Sequence, residues 1–329
     1  MAAGFGSLRR MNALFQTEYH LSPTDLRKKA ADGRNYAGQI TVGLGYRPPY
    51  RWTEILRFLA ARAIPGVERV EKDEYFRTVR LLDKGGTPHF GWIQAAHRPE
   101  KSRLDVTISD TLVPVLSQVL ARVRNLFDLY CDPEVIDETL QSMNDLRPGL
   151  CVPGMRLPGC FDPFEMAVRA ILGQQIAVKA AGTLAGRMVE SLGQPVNTGV
   201  EGLTHTFPTM EDIAGVGDAI QERLGMLGVI AARSSCISAL AKALMQGEII
   251  LDQSADPERE MMKLRTLKGI GSWTAQYIAM RTMGWPDAFL ETDIGVRRAL
   301  PEYSQKEMLE LSEQWRPWRS YAVMNLWNA

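Results

Sequence analysis

The stretch LKGIGSWTAQYIAMRTMGWPDAFLETDIGVRRAL, residues 267–300, decides how this 329-residue chain is read. Glycines at 269 and 271 precede a run with helical spacing that opens at Ser272, which predicts helix, tight turn, helix. Such a turn leaves backbone N–H groups exposed at a helix N-terminus. They can hold a phosphate oxygen without any side chain, and glycine lets the backbone approach closely. A G-x-G between helices also fits an ordinary helical connection, so the residues C-terminal to it carry the decision. Beyond Trp273 come a polar break at Gly284, Pro286 and Asp287, a short apolar run Ala288-Phe289-Leu290, and then Asp293. Its place just ahead of Ile294 suits a helix N-cap, and a carboxylate there faces the positive end of the helix dipole.

Upstream, LPGCFDPFEMAVRAILGQQIAVKAAGTLAGRMVESLG (157–193) carries its own start signal, Asp162 followed by Pro163. Phe164, Ala167, Val168, Ile171 and Leu172 form one apolar stripe. Gly173-Gln174-Gln175 interrupts it before a second helix. Further upstream the period changes. LGYRPPYRW (44–52) closes a strand-like segment, TEILRFLAARAI (53–64) reads as a helix, and YFRTVRLL (75–82), HFGWIQAA (89–96) and RLDVTISD (103–110) alternate as strands between turn signals such as Asp83-Lys84-Gly85-Gly86. The expectation is an α+β protein. Residues 41–140 form an antiparallel β-sheet domain with one or two helices, and 141–329 form a helical domain. Residues 30–40 read as a linker, and residues 1–29 are polar and locally basic.

The bulk properties remove several function classes. No apolar run is long enough for a membrane span, and the first residues lack a secretory pattern, so the expected location is cytoplasmic. Thirty-eight basic residues balance 38 acidic ones, which gives no sign of nucleic acid but does not argue against a local phosphate site. The four cysteines (131, 151, 160, 236) form no C-x-x-C, and the four histidines form no H-E-x-x-H. Reduced structural thiols and a metal-free fold are expected.

Residues 41–329 resemble the AlkA-type 3-methyladenine DNA glycosylases of the helix-hairpin-helix superfamily. The matching blocks are PPYRW (48–52), FLAARA (58–63), RPGL (147–150), LPGC (157–160), RAILGQ (169–174), GIGSWTAQY (269–277) and WRPWRSYAVMNLW (315–327). The resemblance implies a TATA-binding-protein-like sheet domain followed by a helical helix-hairpin-helix domain. It places the catalytic carboxylate on Asp293 and the aromatic base pocket on Trp273, Tyr277 and Trp327. DNA contacts fall on Gly269, Ile270, Gly271 and Ser272. Main-chain carbonyls of Arg265, Leu267 and Ile270 correspond to a structural monovalent-cation site, and no cofactor is required. The intercalating wedge falls on Gln175, where the family has leucine. Trp52, Trp315 and Trp318 are left as core or interdomain residues.

The implied chemistry suits these residue types. Alkylation at N3 or N7 makes a purine cationic and a good leaving group, and each electron-rich ring contributes about 1–2 kcal/mol to holding it. An ionised Asp293 would stabilise positive charge on the sugar or orient the attacking water. Glycosylases that also cut the strand use a lysine amine after the hairpin. Here Ser272, Trp273 and Thr274 offer none, so hydrolysis to an abasic site is expected. The implied partner is double-stranded DNA containing alkylated bases, met by a monomer.

Residues 4–28 resemble part of the second helix-turn-helix of AraC-type regulators, with Gly4-Phe5 as the turn, Ser7 opening a recognition helix, Phe15 as an anchor and Ser22-Pro23 before a closing helix. They are also similar to the same element in Ada-type alkylation-response proteins, which suggests the C-terminal part of a fusion. The scaffold helices that should precede this element are missing, which favours a remnant. The alternative function is a DNA-binding transcriptional regulator of the alkylation response; a helix-hairpin-helix protein that binds DNA without catalysis is a third. The P-C-H-R methyl-acceptor signature does not occur, so methyl transfer is not expected.

Overall fold

The computed structural model describes residues 38–329. The helix-turn-helix-like stretch 4–28 and most of the stretch read as linker lie outside the described residues. The chain begins with β1 (Gln39–Gly45), α1 (Trp52–Ala60), β2 (Glu68–Glu71), β3 (Glu74–Leu82), β4 (Pro88–Arg98) and β5 (Arg103–Ser109). They form one antiparallel sheet in the order β1-β5-β4-β3-β2. Strand alternation puts Ile40, Val42 and Leu44 opposite Ile108, Val106 and Leu104, all buried. Ile55, Leu56 and Leu59 of α1, and Val119, Leu120 and Val123 of α2 (Leu116–Leu126), join them in one continuous core.

The sheet contains the three expected runs and the segment beginning near Thr41, but β2 has no signal in the sequence. Glu68-Arg69-Val70-Glu71 is short and charged. Its turn into β3 uses Lys72 and Asp73, both left-handed (φ 51° and 61°), rather than an Asn-Gly or Asp-Gly pair. β1 also starts earlier than expected, at Gln39, within the last two residues of the stretch read as linker.

The remainder is helical: α3 (Pro133–Leu140), α4 (Met143–Leu146), α5 (Pro163–Leu172), α6 (Val178–Leu192), α7 (Met210–Gly215), α8 (Ile220–Gly225), α9 (Ala231–Met245), α10 (Pro257–Leu264), α11 (Ser272–Ile278), α12 (Ile294–Ala299), α13 (Gln305–Ser312) and α14 (Arg319–Trp327). α5 starts as its sequence dictates, with Asp162 accepting the Glu165 N–H at 2.9 Å and Pro163 in the first turn. Among the described residues, no helix is long and apolar enough to cross a membrane.

Sheet and helices meet over a buried ionic quartet. Arg77 on β3 donates to Glu165 on α5 at 2.7 Å. Arg169, one turn further along α5, reaches both Glu68 on β2 (2.9 Å) and Glu165 (3.1 Å). The Tyr75 hydroxyl donates to the remaining Glu68 oxygen. Arg77, Glu68 and Glu165 are all buried. In such surroundings removal of one partner is far costlier than removal of both, because the survivor keeps an uncompensated buried charge. Arg77→Met is therefore expected to cost about 3–5 kcal/mol. Arg77→Met/Glu165→Met should recover a large part of that loss in urea denaturation; simple addition of the two single losses would contradict the coupling.

Candidate active site

α10 ends at Leu264, and the loop 265–271 turns the chain into α11. Gly269 sits at φ 103°, a conformation that requires glycine. Gly271 occupies the N-cap and brings no side chain to it. The first helical bond runs from the Ala275 N–H to the Gly271 carbonyl, so the amides of Ser272, Trp273 and Thr274 have no acceptor within the helix. Gly269, Gly271 and Ser272 are exposed, as a nucleic-acid contact needs. Ile270 differs: its side chain is buried and anchors the turn, leaving only its main chain for contact.

α11 also carries the first two aromatics. Trp273 and Tyr277 lie one turn apart and stack, with ring centroids 5.1 Å apart. Trp327, at the last turn of α14, meets the Tyr277 ring edge-on at 6.2 Å. The structure thus brings together the three aromatics picked from sequence. A fourth comes from the sheet half: Phe58 of α1 lies nearly parallel to Trp327 at 6.1 Å. In sequence it is indistinguishable from the rest of its core-facing stripe. Trp52 and Trp315 are buried in the core and Trp318 is packed against it.

Asp293 caps α12. Its Oδ1 accepts the N–H groups of Gly295 (2.8 Å) and Val296 (3.2 Å) and also the indole N–H of Trp327 (2.8 Å). Among the described residues, Oδ2 accepts no hydrogen bond. One oxygen is fully used in positioning, and the other is not drawn into the cap. Gly295 makes the arrangement possible. A Cβ there would lie 2.6 Å from Cδ1 and 3.0 Å from Nε1 of Trp327.

Two arginines outside the set picked from sequence underlie the rings. Arg281 donates to the Tyr277 hydroxyl at 2.8 Å and to the Gly159 carbonyl at 2.9 Å. Arg62 lies on the Phe58 face, 3.8 Å from its centroid. Burial alone would push the Tyr277 hydroxyl up, but the guanidinium groups of Arg281, Arg62 and Arg169 overcome it and hold the hydroxyl below its usual range. Arg281 belongs to a π-helical turn, Ala279–Met283, that continues α11. The one clue in sequence is a cation four residues past Tyr277 within an otherwise apolar run.

Gln175 is exposed on the loop between α5 and α6, with φ at 56°. The carbonyls of Arg265, Leu267 and Ile270 lie in the hairpin loop, where that of Leu267 accepts the Ile270 N–H at 3.0 Å. Among the described residues, no group of three or more His, Cys, Asp or Glu residues could hold a metal ion. All four cysteines are free and buried, and burial pushes the Cys131 and Cys160 thiols up to about 12.

The tightness at Gly295 gives a direct test. Gly295→Ala should force the Trp327 indole off Asp293, shift intrinsic tryptophan emission and cost about 1–3 kcal/mol by overpacking. The emission shift should be absent when the same change is made in a Trp327→Phe background; its persistence there would place the strain elsewhere.

Residues 41–162 match the family model described as the AlkA N-terminal domain. The chain is 38% identical to the "probable bifunctional transcriptional activator/DNA repair enzyme AlkA" of Mycobacterium tuberculosis, a match covering 99% of this chain and 65% of that protein. The chain thus spans just under two thirds of that relative's length. It is 35% identical to DNA-3-methyladenine glycosylase 2 of Escherichia coli over 86% of this chain and 95% of that one. Among solved structures, a 3-methyladenine DNA-glycosylase from Archaeoglobus fulgidus shares the fold with a TM-score of 0.67 at 23% identity, covering 87% of this chain and 96% of that one. An 8-oxoguanine glycosylase/lyase from Clostridium acetobutylicum, in complex with double-stranded DNA, does so at 0.63 and 17%, covering 89% and 94%. With the extent and identity of the Escherichia coli match, the chain belongs to the AlkA family of DNA-3-methyladenine glycosylases.

Proposed function

We propose that this chain is a monofunctional DNA glycosylase that hydrolyses the N-glycosidic bond of alkylated bases, of the 3-methyladenine and 7-methylguanine class, in double-stranded DNA. It would open base excision repair of alkylation damage. One observation carries the reading: the Asp293 carboxylate is locked through Oδ1 by a helix N-terminus and by the indole of Trp327, itself one of the clustered rings, while Oδ2 accepts no hydrogen bond among the described residues. The family membership supports it, and so does the DNA held by the Clostridium enzyme of the same fold.

In this mechanism the damaged nucleotide leaves the stack, and Gln175 enters the gap it vacates. The free amides at the start of α11 and the exposed Gly269–Ser272 backbone grip a phosphate. The flipped base stacks on the rings, where its positive charge meets electron-rich faces. As the bond to the sugar breaks, charge passes to the sugar and Asp293 Oδ2 stabilises it or orients the incoming water. Trp273 stands where a lyase would have its lysine, so the product is an abasic site in an intact strand.

The carbonyls of Arg265, Leu267 and Ile270 fit a monovalent cation, being neutral hard oxygens; that of Leu267 keeps a second lone pair beside its hydrogen bond. Such an ion would add positive charge at the phosphate grip. We further propose a sheet domain over 41–140, a helical domain over 141–329, a monomeric state, and a cytoplasmic location, which suits four unbridged thiols. The second reading, a regulator of the alkylation response, draws on the Mycobacterium match, which covers 99% of this chain.

Wild-type protein should release free 3-methyladenine or 7-methylguanine from methylated duplex DNA. Asp293→Asn should lower single-turnover release at least about a hundredfold while DNA affinity is retained. Borohydride should trap no covalent protein–DNA adduct. Full activity of Asp293→Asn would remove the carboxylate from the mechanism. A wild type that releases no base but shifts a specific promoter fragment would favour the regulator.

A further inference from the structure

The loop that carries Gln175 is fastened to the hairpin through its neighbour. Gln174 donates from Nε2 to the Gly269 carbonyl at 2.7 Å and to the Thr274 hydroxyl at 3.1 Å. Its own main-chain carbonyl accepts from the guanidinium of Arg233 on α9. One residue therefore bonds to the turn of the hairpin, to the first turn of α11 and to α9. Gln175 follows directly, exposed and at φ 56°, a left-handed conformation that is unfavourable for an L-residue. A residue keeps such a conformation only where its surroundings over-determine it. Here the Ile176 N–H closes a turn onto the Gly173 carbonyl at 3.4 Å, and the bonds of Gln174 fasten that turn to the hairpin and α9.

We propose that Gln174 is a positioning residue that makes the phosphate grip and the gap-filling side chain one rigid unit. This rests on the glycosylase reading. Gly269, which Gln174 holds, belongs to the backbone proposed to grip the phosphate, and Gln175 is the residue proposed to enter the base stack. With the two joined, interaction energy gained at the phosphate opposes the cost of unstacking, because the wedge cannot recoil without displacing the grip. Without the bond to Gly269, the loop between α5 and α6 moves independently. The protein then still binds duplex but opens it poorly. A leucine at 175 would fill the gap by its own apolar bulk; a glutamine, less apolar, depends more on being held at the right height.

The test uses two variants of the full chain. Gln174→Glu removes the donor with little change of shape, and Gln174→Ala removes the side chain without adding charge. Each is measured alone and combined with Gln175→Ala. Binding to undamaged duplex is followed by anisotropy. Unstacking is followed as the fluorescence rise of 2-aminopurine placed beside an abasic-site analogue, and excision as single-turnover release of 7-methylguanine. Binding of Gln174→Ala to undamaged duplex should stay within about twofold, since the phosphate contacts remain. The carboxylate of Gln174→Glu should weaken it further by repelling the phosphate, so unstacking and excision are compared with all duplex bound. The 2-aminopurine rise and the excision rate should both fall at least about tenfold, the scale set by an ångström of misplacement. Added to Gln175→Ala, either change should have no further effect, because Gln174 acts through Gln175. Additive losses, or an undiminished 2-aminopurine rise in both variants, would overturn the proposal. If the wild type itself gives neither a 2-aminopurine rise nor base release, the glycosylase reading fails instead.

Discussion

The candidate site depends on the buried quartet Arg77, Glu68, Glu165 and Arg169. Three charges removed from water, and a fourth on the partly buried Arg169, are tolerable only in the geometry that pairs them, so the quartet fixes how the sheet sits on α5. That setting reaches the aromatic cluster in a few contacts. Arg169 also donates to the main-chain carbonyl of Arg62. The Arg62 side chain lies on Phe58, Phe58 stacks on Trp327, and Trp327 donates to Asp293. Phe58 is contributed by the sheet half and Asp293 by the helical half, so the pocket is complete only when the two are docked in this register.

Asp293 shows how one residue serves local structure and chemistry together. As an N-cap it needs only one oxygen, and Oδ1 takes all three donors. The cap therefore holds the carboxylate in place without consuming the atom that would face a sugar. Trp327 shares the work: its indole N–H fixes the carboxylate while its ring forms part of the aromatic wall. Any substituent at Gly295 would separate the two functions.

The features legible in the sequence are those that short-range rules determine. The Asp162-Pro163 helix start, the opening of α11 at Ser272 and the cap at Asp293 each depend on a few adjacent residues. The alternation in β3, β4 and β5 comes from half-burial of a sheet. The illegible features depend on partners far along the chain. β2 is charged because Glu68 serves the quartet, so the side chain that explains the strand also hides it. Phe58, Arg62 and Arg281 acquire a place at the site only through docking. Ile270 reads as a contact residue, yet its side chain belongs to the core and its backbone alone faces out. The roles of Asp293, the aromatics and Gln175 come from family resemblance, and the geometry supplies the arrangement in which those roles are possible.

The electrostatics of the pocket bear on how catalysis would be divided on the proposed reading. Arg62 and Arg281 form no ion pair with a carboxylate among the described residues; their partners are carbonyls, the Tyr277 hydroxyl and the faces of Phe58 and Tyr277. A cationic base stacked on Tyr277 would thus have the Arg281 guanidinium near it, while the carboxylate is held at Trp327. The rings screen this but do not abolish it. When the glycosidic bond breaks, the base becomes neutral and the positive charge moves to the sugar, toward Asp293. The same fixed charges that oppose the bound cation therefore favour its departure, and the field is spent on the transition state rather than on binding. On this account the rings supply affinity and the arrangement of Arg62, Arg281 and Asp293 supplies rate.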